Sequence, residues 1–476
     1  MRVSPFRGIR YNQRIAGDLA QVICPPYDVI SPEQQKLYYE RDGYNAIRIE
    51  HPAEHSEGEA DDKYTRAATT FRQWLKQGVL QIDDRSAFYL HDYCFMFRGE
   101  TRRRRGLIAR VKLEPWGSGI YPHEETGAKA KADRLYLMRA CQASFSPLIC
   151  LYQDAKQEVI SLLSQASQDK PAMAFSAKAL SVGKEQKGNL FGSDESHTIW
   201  AITDPKFKQQ IEQYLSPRPL YMADGHHRYE TALIYQEERM RFLRERDTGG
   251  GGTYPAEQEA FNYVMTELVE FSDPGLVVLP VHRLVRGIRH SSAPKAGDQN
   301  ESADEMSVLR EKLERFFILK PVPLSGGMPL SGSNNQSLMS GNYFLGVLGL
   351  KKGYLVLLTK REDVSFDDMM PAEHSSAYKQ FEVSILNHII LDRMLGLYRK
   401  MSGPVPVLDE EKVVYTMDAD EAQRETTEGK YDLAFLLNPP QLETVRAIAN
   451  AGDRMPRKST YFYPKAPAGL IINPLD

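Results

Sequence analysis

The sequence predicts an α/β protein of mixed (α+β) type, because strand-like and helical patterns alternate along the chain. Residues 220–223 are a short apolar run, as expected for a buried strand, and the Asp-Gly pair after them is a turn signal. Apolar residues then recur near helical spacing over 229–243, which predicts a helix. Elsewhere, 88–97 has the pattern of a strand and 64–75 that of a helix.

The composition sets the size of the core and narrows the class of protein. The 476 residues are 42% hydrophobic and 10% aromatic, enough for roughly two to four packing units or one large elaborated domain. The formal net charge of −3 argues against general binding of nucleic acid. Cysteines 24, 94, 141 and 150 lack metal-ligand spacing and fit a reducing compartment. No run is apolar enough for a signal peptide or a membrane span, so we expect a soluble cytoplasmic protein.

The Asp-Gly turn lies in a stretch, YMADGHHRYET at 221–231, that carries most of the predicted chemistry. Gly225 lets the backbone approach a ligand, and the first N–H groups of the following helix have no partner inside the helix, which suits an anion. The polar side chains that share this turn are Asp224, His226, His227 and Arg228. Together these features predict a phosphate-binding site.

An ordinary structural turn is the alternative. Junctions of a strand and a helix with a capping Asp are common, and most of them bind nothing. Two adjacent histidines at a helix start can simply hydrogen-bond their neighbours. A metal site formed by His226 and His227 together is disfavoured, because adjacent helical residues point about 100° apart.

A second charged stretch occupies 121–146, where a helix is predicted from about residue 128. Carboxylates can hold a magnesium–phosphate group while basic side chains bind the phosphate, and a carboxylate beside a histidine supplies a general base. The candidates are His123, Glu124, Thr126, Lys129, Lys131 and Arg134. A charged helix start with exposed ion pairs explains the same residues without a ligand.

Two other segments can supply walls of a site. The two prolines at 25–26 exclude regular helix, so Tyr27 and Asp28 stand on a rigid segment that either faces the site or merely connects elements. Residues 277–283, VVLPVHR, have the pattern of a strand that ends in His282 and Arg283. Sites in α/β proteins usually lie at such strand ends.

The last informative segment is MPRKSTYFYPK at 455–465, whose alternation predicts a strand. The side chains here that can reach a phosphate are Lys458, Ser459, Thr460 and Lys465. An exposed edge strand, protected from aggregation by Lys and Pro, is the alternative.

Further patterns complete the expected organisation. NAIRIE at 45–50 alternates and predicts a strand, and the four arginines at 102–105 are expected at the solvated tip of a hairpin. We divide the chain into three regions. They are a catalytic α/β region (1–285), a loop-rich α/β insertion or second subdomain (286–405), and a C-terminal βαβ segment that returns to the site (406–476).

Four stretches carry a family resemblance: PPYDVIS at 25–31, HEET with KxDR at 123–134, DGHHRYETA at 224–232 and MPxKSTYFYPK at 455–465. Together they resemble a bacterial and archaeal family of unknown function whose members are similar to free L-serine kinases. The DGHHR turn also resembles the phosphate-binding turn of the ParB/sulfiredoxin-like fold. The resemblance spans nearly the whole chain and implies a ParB/sulfiredoxin-like core elaborated by additional α/β segments.

The resemblance implies transfer of a phosphoryl group to the hydroxyl of free L-serine, giving O-phospho-L-serine. The donor would be pyrophosphate, ADP or ATP, with Mg²⁺ as cofactor, and a site so rich in basic side chains suits pyrophosphate. Asp224 or Glu124 would accept the hydroxyl proton or anchor the serine amine, and the same two carboxylates would hold the metal. His226 and His227 would bond phosphate oxygens, and Arg228 would add a planar pair of donors. Candidates for the donor's remaining phosphates are Lys129, Lys131, Arg134, Lys458 and Lys465.

Two other classes of function stay open. A ParB-like protein linked to nucleotides or nucleic acid has only the arginine run in its favour. A sensor of phosphate or amino acid would use the same pocket without turnover, and a phosphatase would run the reverse chemistry. We expect a small molecule as the partner and no membrane association. Assembly of the chain into a homo-oligomer is left open.

Overall fold

A computed structural model describes residues 2–54, 62–124, 128–178, 191–246, 259–288, 305–324, 330, 343–399 and 407–475. It confirms the predicted α/β class, since a large mixed sheet is flanked by helices and a second sheet follows it along the chain. Among the described helices, none combines the length and the apolarity that a membrane crossing requires.

The strands follow one another from the first residues to the last. They are β1 (Val3–Ser4), β2 (Ile9–Tyr11), β3 (Leu80–Ile82), β4 (Phe88–Phe97), β5 (Glu100–Lys112), β6 (Ile120–Tyr121), β7 (Ala143–Ser144), β8 (Leu148–Tyr152), β9 (Met173–Lys178), β10 (Phe191–Ile202), β11 (Leu220–Asp224), β12 (Tyr263–Glu270), β13 (Val277–Leu279), β14 (His282–Val285), β15 (Phe317–Pro323), β16 (Leu345–Leu348), β17 (Tyr354–Lys360), β18 (Tyr398–Arg399), β19 (Val407–Leu408), β20 (Val413–Thr416), β21 (Leu433–Leu436), β22 (Tyr461–Tyr463) and β23 (Asn473–Pro474).

The helices lie between these strands. They are α1 (Gln13–Ala16), α2 (Leu19–Val22), α3 (Pro32–Arg41), α4 (Ile47–Glu50), α5 (Lys63–Lys76), α6 (Ala128–Cys141), α7 (Glu158–Ala166), α8 (Pro205–Leu215), α9 (His226–Arg246), α10 (Glu305–Glu314), α11 (Ser376–Gln380), α12 (Glu382–Ile385), α13 (Ala419–Thr427) and α14 (Leu442–Asn450). A π-helical stretch covers Leu386–Met394, and short 3-10 turns cover Tyr27–Val29, Ala260–Asn262 and Asp367–Met369.

The larger sheet places the central turn at one side. Its strand order is β6-β11-β8-β12-β5-β4-β10-β9, with β1 added beside β5. The strand that leads into the turn, β11, runs parallel to β6 and antiparallel to β8. Every residue of β8, β11 and β12 is buried, as expected for strands covered on both faces.

The second sheet has the order β15-β17-β16-β21-β14-β20, and all its pairings are antiparallel. The chain then forms two shorter pairings outside both of these sheets. β22 pairs with β13, and Glu124 and Met455 form an isolated parallel bridge. These pairings bring 455–465 back to the central turn.

Two expectations about single elements need correction. Residues 45–50 contain helix α4 instead of a strand, and the Asn45 side chain accepts a hydrogen bond from the Ile47 N–H at 2.9 Å. That bond favours a helical turn. The strand expected at 277–283 is interrupted by Pro280, which has no N–H for a ladder and separates β13 from β14.

The arginine run lies inside β5 and not at a hairpin tip. The tip is Arg98 and Gly99, whose φ angles are 52° and 79°. Arg104 is 1% exposed and forms a 2.7 Å ion pair with Glu267. The remaining arginines of the run point to other partners, and the Nε of Arg105 binds Asp92 at 2.7 Å. Much of the run therefore serves the structure of the sheet.

Candidate functional site

The junction of β11 and α9 forms the predicted strand, turn and helix. Gly225, between them, has φ +94°, which favours glycine. A Cβ atom there would lie 2.5 Å from the Leu148 side chain and 3.1 Å from the Arg228 guanidinium. Glycine is therefore required both by the backbone conformation and by the close packing of the turn.

Asp224 lies at the centre of the site and is 7% exposed. Its Oδ2 accepts a hydrogen bond from the Arg228 guanidinium at 2.8 Å, and its Oδ1 contacts the Lys465 ammonium. Burial raises the pKa of Asp224, but the attraction of Lys465 and Arg228 outweighs burial and lowers that pKa below its ordinary value. Asp224 is thus an ionised counter-ion that ties the turn to the C-terminal segment.

The Arg228 guanidinium is used inside the protein. Besides Asp224, it donates to the Ser146 hydroxyl at 2.9 Å and to the Pro147 carbonyl at 2.8 Å. The Ser146 hydroxyl in turn donates to the buried carboxylate of Glu50 at 2.9 Å. Arg228 therefore stabilises the turn through hydrogen bonds inside the protein and does not present its planar donor pair to a ligand.

The two buried histidines of the site are neutral. The His123 Nδ1–H donates to the Met222 carbonyl at 2.5 Å, so Nε2 accepts from the Thr460 hydroxyl at 2.9 Å. The His226 Nε2 accepts from the His123 backbone N–H at 3.3 Å. Burial lowers the pKa of His123 to about 4 and that of His226 well below its ordinary value. His123 thus links β11 to 455–465, and His226 holds His123 at the turn.

His227, the second histidine of the pair, is half-buried and interacts electrostatically with Asp28, Arg457 and Lys458. We call these residues, together with Glu124 and Lys465, the charged rim of the site. Burial and the nearby Arg457 lower its pKa, whereas Asp28 and Glu230 act in the opposite direction. His227 is therefore neutral at physiological pH.

The 455–465 segment supplies cations to this rim. Lys458, with φ +59°, and Arg457 are exposed, while Lys465 is half-buried and lies 4.7 Å from the Tyr461 ring centroid. Ser459 is buried and its hydroxyl donates to the Pro456 carbonyl at 2.5 Å, so it stabilises the local turn. Thr460 is already bonded to His123.

Glu124 stands at the edge of the same rim and is half-buried. Its Oε1 accepts from the Lys458 backbone N–H at 2.9 Å. Burial raises the pKa of Glu124 above its ordinary value, although Lys458 and Lys465 oppose that shift. A carboxylate with a raised pKa is a better proton acceptor near neutral pH than an ordinary one.

Asp28 and Tyr27, on the Pro-Pro segment, do reach the site region. Asp28 is exposed, makes no hydrogen bond within the described residues, and interacts electrostatically with His227 and Lys465. The Tyr27 ring lies 4.0 Å from the Arg134 guanidinium carbon. Tyr27 therefore packs against Arg134, whereas Asp28 is exposed to solvent.

Several other predicted residues are engaged with partners inside the protein. Lys131 pairs with Glu230 at 2.9 Å, and Arg134 is buried against Asp133 and the Glu50 carbonyl. His282 is buried in the second sheet, where its Nδ1 accepts from the Leu437 N–H at 3.1 Å. Thr126 and the side chain of Lys129 lie outside the described residues.

Arg283 does not face the rim, although it touches the segment that forms it. It is fully buried and donates to the Lys458 carbonyl at 3.0 Å. Across the parts of the chain that the structure describes, no group of three or more His, Cys, Asp or Glu side chains is arranged to hold a metal ion.

Sequence reasoning missed three residues that shape the site. Arg454 lies 3.6 Å from Glu230, Arg457 acts on His227, and Ser146 links Arg228 to Glu50. Arg454 directly precedes the predicted MPRKST motif and Arg457 lies within it, so their place in the sequence was the available signal. Nothing local marked Ser146, because its role depends on a contact between distant segments.

Comparison with known proteins gives the fold context of this site. No curated protein matches the chain significantly. Among solved structures, a free serine kinase variant in complex with AMP matches with 10% identity and a TM-score of 0.32, covering 75% of this chain and 90% of its own. A conserved hypothetical protein from Pyrococcus furiosus matches with 10% identity and a TM-score of 0.30, covering 75% and 93%. C-terminally truncated SbnI from Staphylococcus aureus matches with 9% identity and a TM-score of 0.28, covering 75% and 82%.

A likeness at these TM-scores carries no argument about function, which has to be derived from the site itself. The family comparison reaches further, because the model of one family matches residues 3–361, most of the chain. The protein therefore belongs to the family described as DUF1015, proteins of unknown function.

Proposed function

We propose that this protein is a kinase that transfers a phosphoryl group to the hydroxyl of free L-serine, giving O-phospho-L-serine. One observation carries the proposal. The N-terminus of α9 lies close to the cations of 455–465, since Asp224 just before it pairs with Lys465. Two carboxylates lie beside them, the half-buried Glu124 and the exposed Asp28. The motif resemblance, which includes a ParB/sulfiredoxin-like turn, supplies serine as the acceptor.

The cationic side of the rim suits the transferring phosphate. Phosphoryl transfer depends on positioning and charge neutralisation more than on covalent help from the protein. The first N–H groups of α9 carry partial positive charge, and Lys465 and Lys458 add full charges. Neutral His227 donates a hydrogen bond to a phosphate oxygen without adding charge.

The proton acceptor is Glu124. Asp224 is a poor base, because both of its oxygens contact cations and its pKa is lowered. Glu124 has a raised pKa and keeps one oxygen beyond its bond to the Lys458 N–H. In the reaction the serine Oγ–P bond forms, the donor O–P bond breaks, and the hydroxyl proton passes to Glu124.

The ammonium group of serine is assigned to Asp28. This carboxylate is exposed and has no hydrogen-bond partner among the described residues, so it is available to an incoming cation. Its electrostatic contact with His227 and Lys465 places it on the same rim as the phosphate cations. Amine and phosphate are then bound by groups of opposite charge.

The donor and the metal follow from the same charges. Pyrophosphate, ADP and ATP all present a diphosphate, which Lys458, Arg457 and Lys465 can neutralise. Magnesium, when bound, would neutralise further donor charge. Glu124, assigned as the base, does not also fit as its protein ligand, because a bound Mg²⁺ would occupy its remaining oxygen and lower its pKa. Asp224 fits poorly, since both of its oxygens are paired with cations.

A turnover assay with matched variants tests the proposal. Wild type, Asp224→Asn and His227→Ala are incubated with L-serine, Mg²⁺ and each donor in turn, and O-phospho-L-serine is detected by mass spectrometry. Asp204→Asn, at the exposed cap of α8, is the control. We expect a loss of at least about 100-fold for Asp224→Asn and His227→Ala, with circular dichroism unchanged. Normal rates in both variants would show that the turn is only structural.

A further inference from the structure

Two of the largest fully buried side chains in the described protein are arginines, and neither lies on the charged rim. Arg104, on β5, is 1% exposed and Arg283, on β14, is 0% exposed. They come from different sheets. Each donates a hydrogen bond to a main-chain carbonyl of the same 455–465 segment.

Arg104 holds the end of the segment next to Lys465. Its Nη1 donates to the carbonyl of Pro464, the residue before Lys465. Its Nη2 donates to the buried Glu267 carboxylate at 2.7 Å, and the other oxygen of Glu267 bonds to the His91 ring at 2.9 Å. Burial raises the pKa of Glu267, but Arg104 and His91 outweigh burial and lower it to about 2, so the pair is ionised.

Arg283 holds the other end of the segment. It donates to the carbonyls of Lys458, at 3.0 Å, and of Val281, and the Tyr415 ring centroid lies 5.4 Å from its guanidinium carbon. No carboxylate lies within ion-pair distance of Arg283 among the described residues. Burial lowers the pKa of Arg283 to about 10, so the side chain is still cationic at neutral pH.

Burying a charge is unfavourable, and an apolar side chain of similar volume often stabilises a core as well or better. Among the contacts of these two arginines, the bonds to the Pro464 and Lys458 carbonyls are the ones that reach 455–465. A carbonyl held from the interior fixes the neighbouring backbone, and with it the direction in which the adjacent side chain leaves the chain. One bond is made to the carbonyl of Lys458 itself and the other to the residue before Lys465, so each bond lies next to a lysine of the rim.

We propose that Arg104 and Arg283 are positioning residues that hold Lys458 and Lys465 in their anion-binding arrangement. The choice of pyrophosphate as ligand rests on the proposed function, whereas the positioning of the segment does not. Neither arginine contacts substrate, so both act through the lysines.

The test measures local order and ligand binding separately. Arg283→Met, and Arg104→Met combined with Glu267→Met to avoid an unpaired carboxylate, remove the two carbonyl contacts. Arg110→Met is the matched control, because the half-buried Arg110 donates to the Pro474 carbonyl at 2.6 Å, outside 455–465. Hydrogen exchange followed by mass spectrometry reports on 455–465, and calorimetric titration reports the affinity for pyrophosphate.

We expect exchange in 455–465 to accelerate about tenfold in both variants and pyrophosphate affinity to fall about tenfold, with exchange in β11 unchanged. The control leaves both quantities as in wild type. Unchanged exchange in 455–465 overturns the positioning role of the arginine concerned. Where a Met variant does not fold, the Lys variant at the same position, which keeps the charge but loses the forked donors, is judged by the same criteria. Absence of pyrophosphate binding in wild type would count against the proposed donor, and the exchange measurement still decides the positioning.

Discussion

The carboxylates of the site differ in their surroundings, and these differences separate their roles. Asp224 contacts two cations in a buried position, which keeps it ionised and unsuited to accept a proton. Glu124 is bonded to a backbone N–H, and its pKa is raised by burial. Asp28 is exposed and carries no hydrogen bond among the described residues. These environments are the basis on which we propose the roles of counter-ion, base and amine anchor.

Substitution of the two outward carboxylates should affect different kinetic constants. Glu124→Gln removes the base, so we expect kcat to fall by about 100-fold or more with little change in the KM for serine. Asp28→Asn removes the anchor, so we expect the KM for serine to rise about tenfold or more with a smaller effect on kcat. Steady-state kinetics with varied serine measures both. The reverse pattern would exchange the two assignments.

The pH dependence of kcat should reflect the same base. Because burial raises the pKa of Glu124, kcat should decline on acidification with an apparent pKa above 4.5, the ordinary value for Glu. This acid-side decline should be absent from the residual activity of Glu124→Gln. The histidines of the site are neutral, so none of them should make kcat rise as the pH falls through 6.5. A rate that increases on acidification would instead indicate a protonated histidine in catalysis.

His123 also makes stability depend on pH. Its folded pKa is about 4, below the unfolded value near 6.5, so the unfolded state binds the proton first. His123 makes its full contribution to the free energy of unfolding above pH 6.5. This contribution, about 3 kcal/mol, is lost as the pH falls toward 4. Urea unfolding at pH 7.5 and 4.5 measures the loss. It should be smaller in His123→Asn, whose amide can still donate to Met222, and an equal loss would place the acid sensitivity elsewhere.

At the scale of elements, the central turn depends on one glycine. Gly225→Ala combines a left-handed φ with a close approach to Leu148, so we expect it to cost about 2–4 kcal/mol of unfolding free energy. Gly452→Ala is the control, because Gly452 has φ +72° but no atom within 4 Å of the added Cβ. It should cost only about 1 kcal/mol. Equal losses in urea unfolding would mean that packing at the turn contributes nothing.

Elements with strong local signals were predicted well. The apolar run before Asp224 and the helical spacing after it correspond to β11 and α9, and residues 64–75 lie within α5. Short elements were less certain, because residues 45–50 satisfy both a strand pattern and a single helical turn. Pairing with another segment decides such cases, and a single sequence does not show that pairing.

For the whole molecule, the candidate site depends on contacts between distant segments. Lys465 meets Asp224 across 241 positions, and Thr460 meets His123 across 337. The motifs were visible in the sequence, but which residue of each motif faces outward was not. Arg228 has its donors turned inward, whereas Arg457, which was not among the predicted site residues, acts electrostatically on His227. The division of the chain at 285 and 405 stays a prediction.

The charge distribution of the whole molecule predicts weak binding to DNA. In the arginine run, Arg104 is paired with Glu267, and both Arg105 and Arg103 lie near Asp92. We expect no saturable binding of a labelled duplex up to about 100 µM protein at physiological salt, measured by fluorescence anisotropy. Micromolar affinity that falls steeply between 50 and 200 mM salt would favour the ParB-like alternative.

In the proposed reaction, the site joins a phosphoryl group to the hydroxyl oxygen of serine. L-Serine labelled with ¹⁸O in the hydroxyl group tests this with wild-type protein, Mg²⁺ and pyrophosphate, ADP or ATP in separate reactions. We expect O-phospho-L-serine that retains the label with at least one donor, because the serine oxygen attacks phosphorus. If no donor yields phosphoserine while the ligands still raise the melting temperature, the site is a sensor and the kinase proposal is wrong.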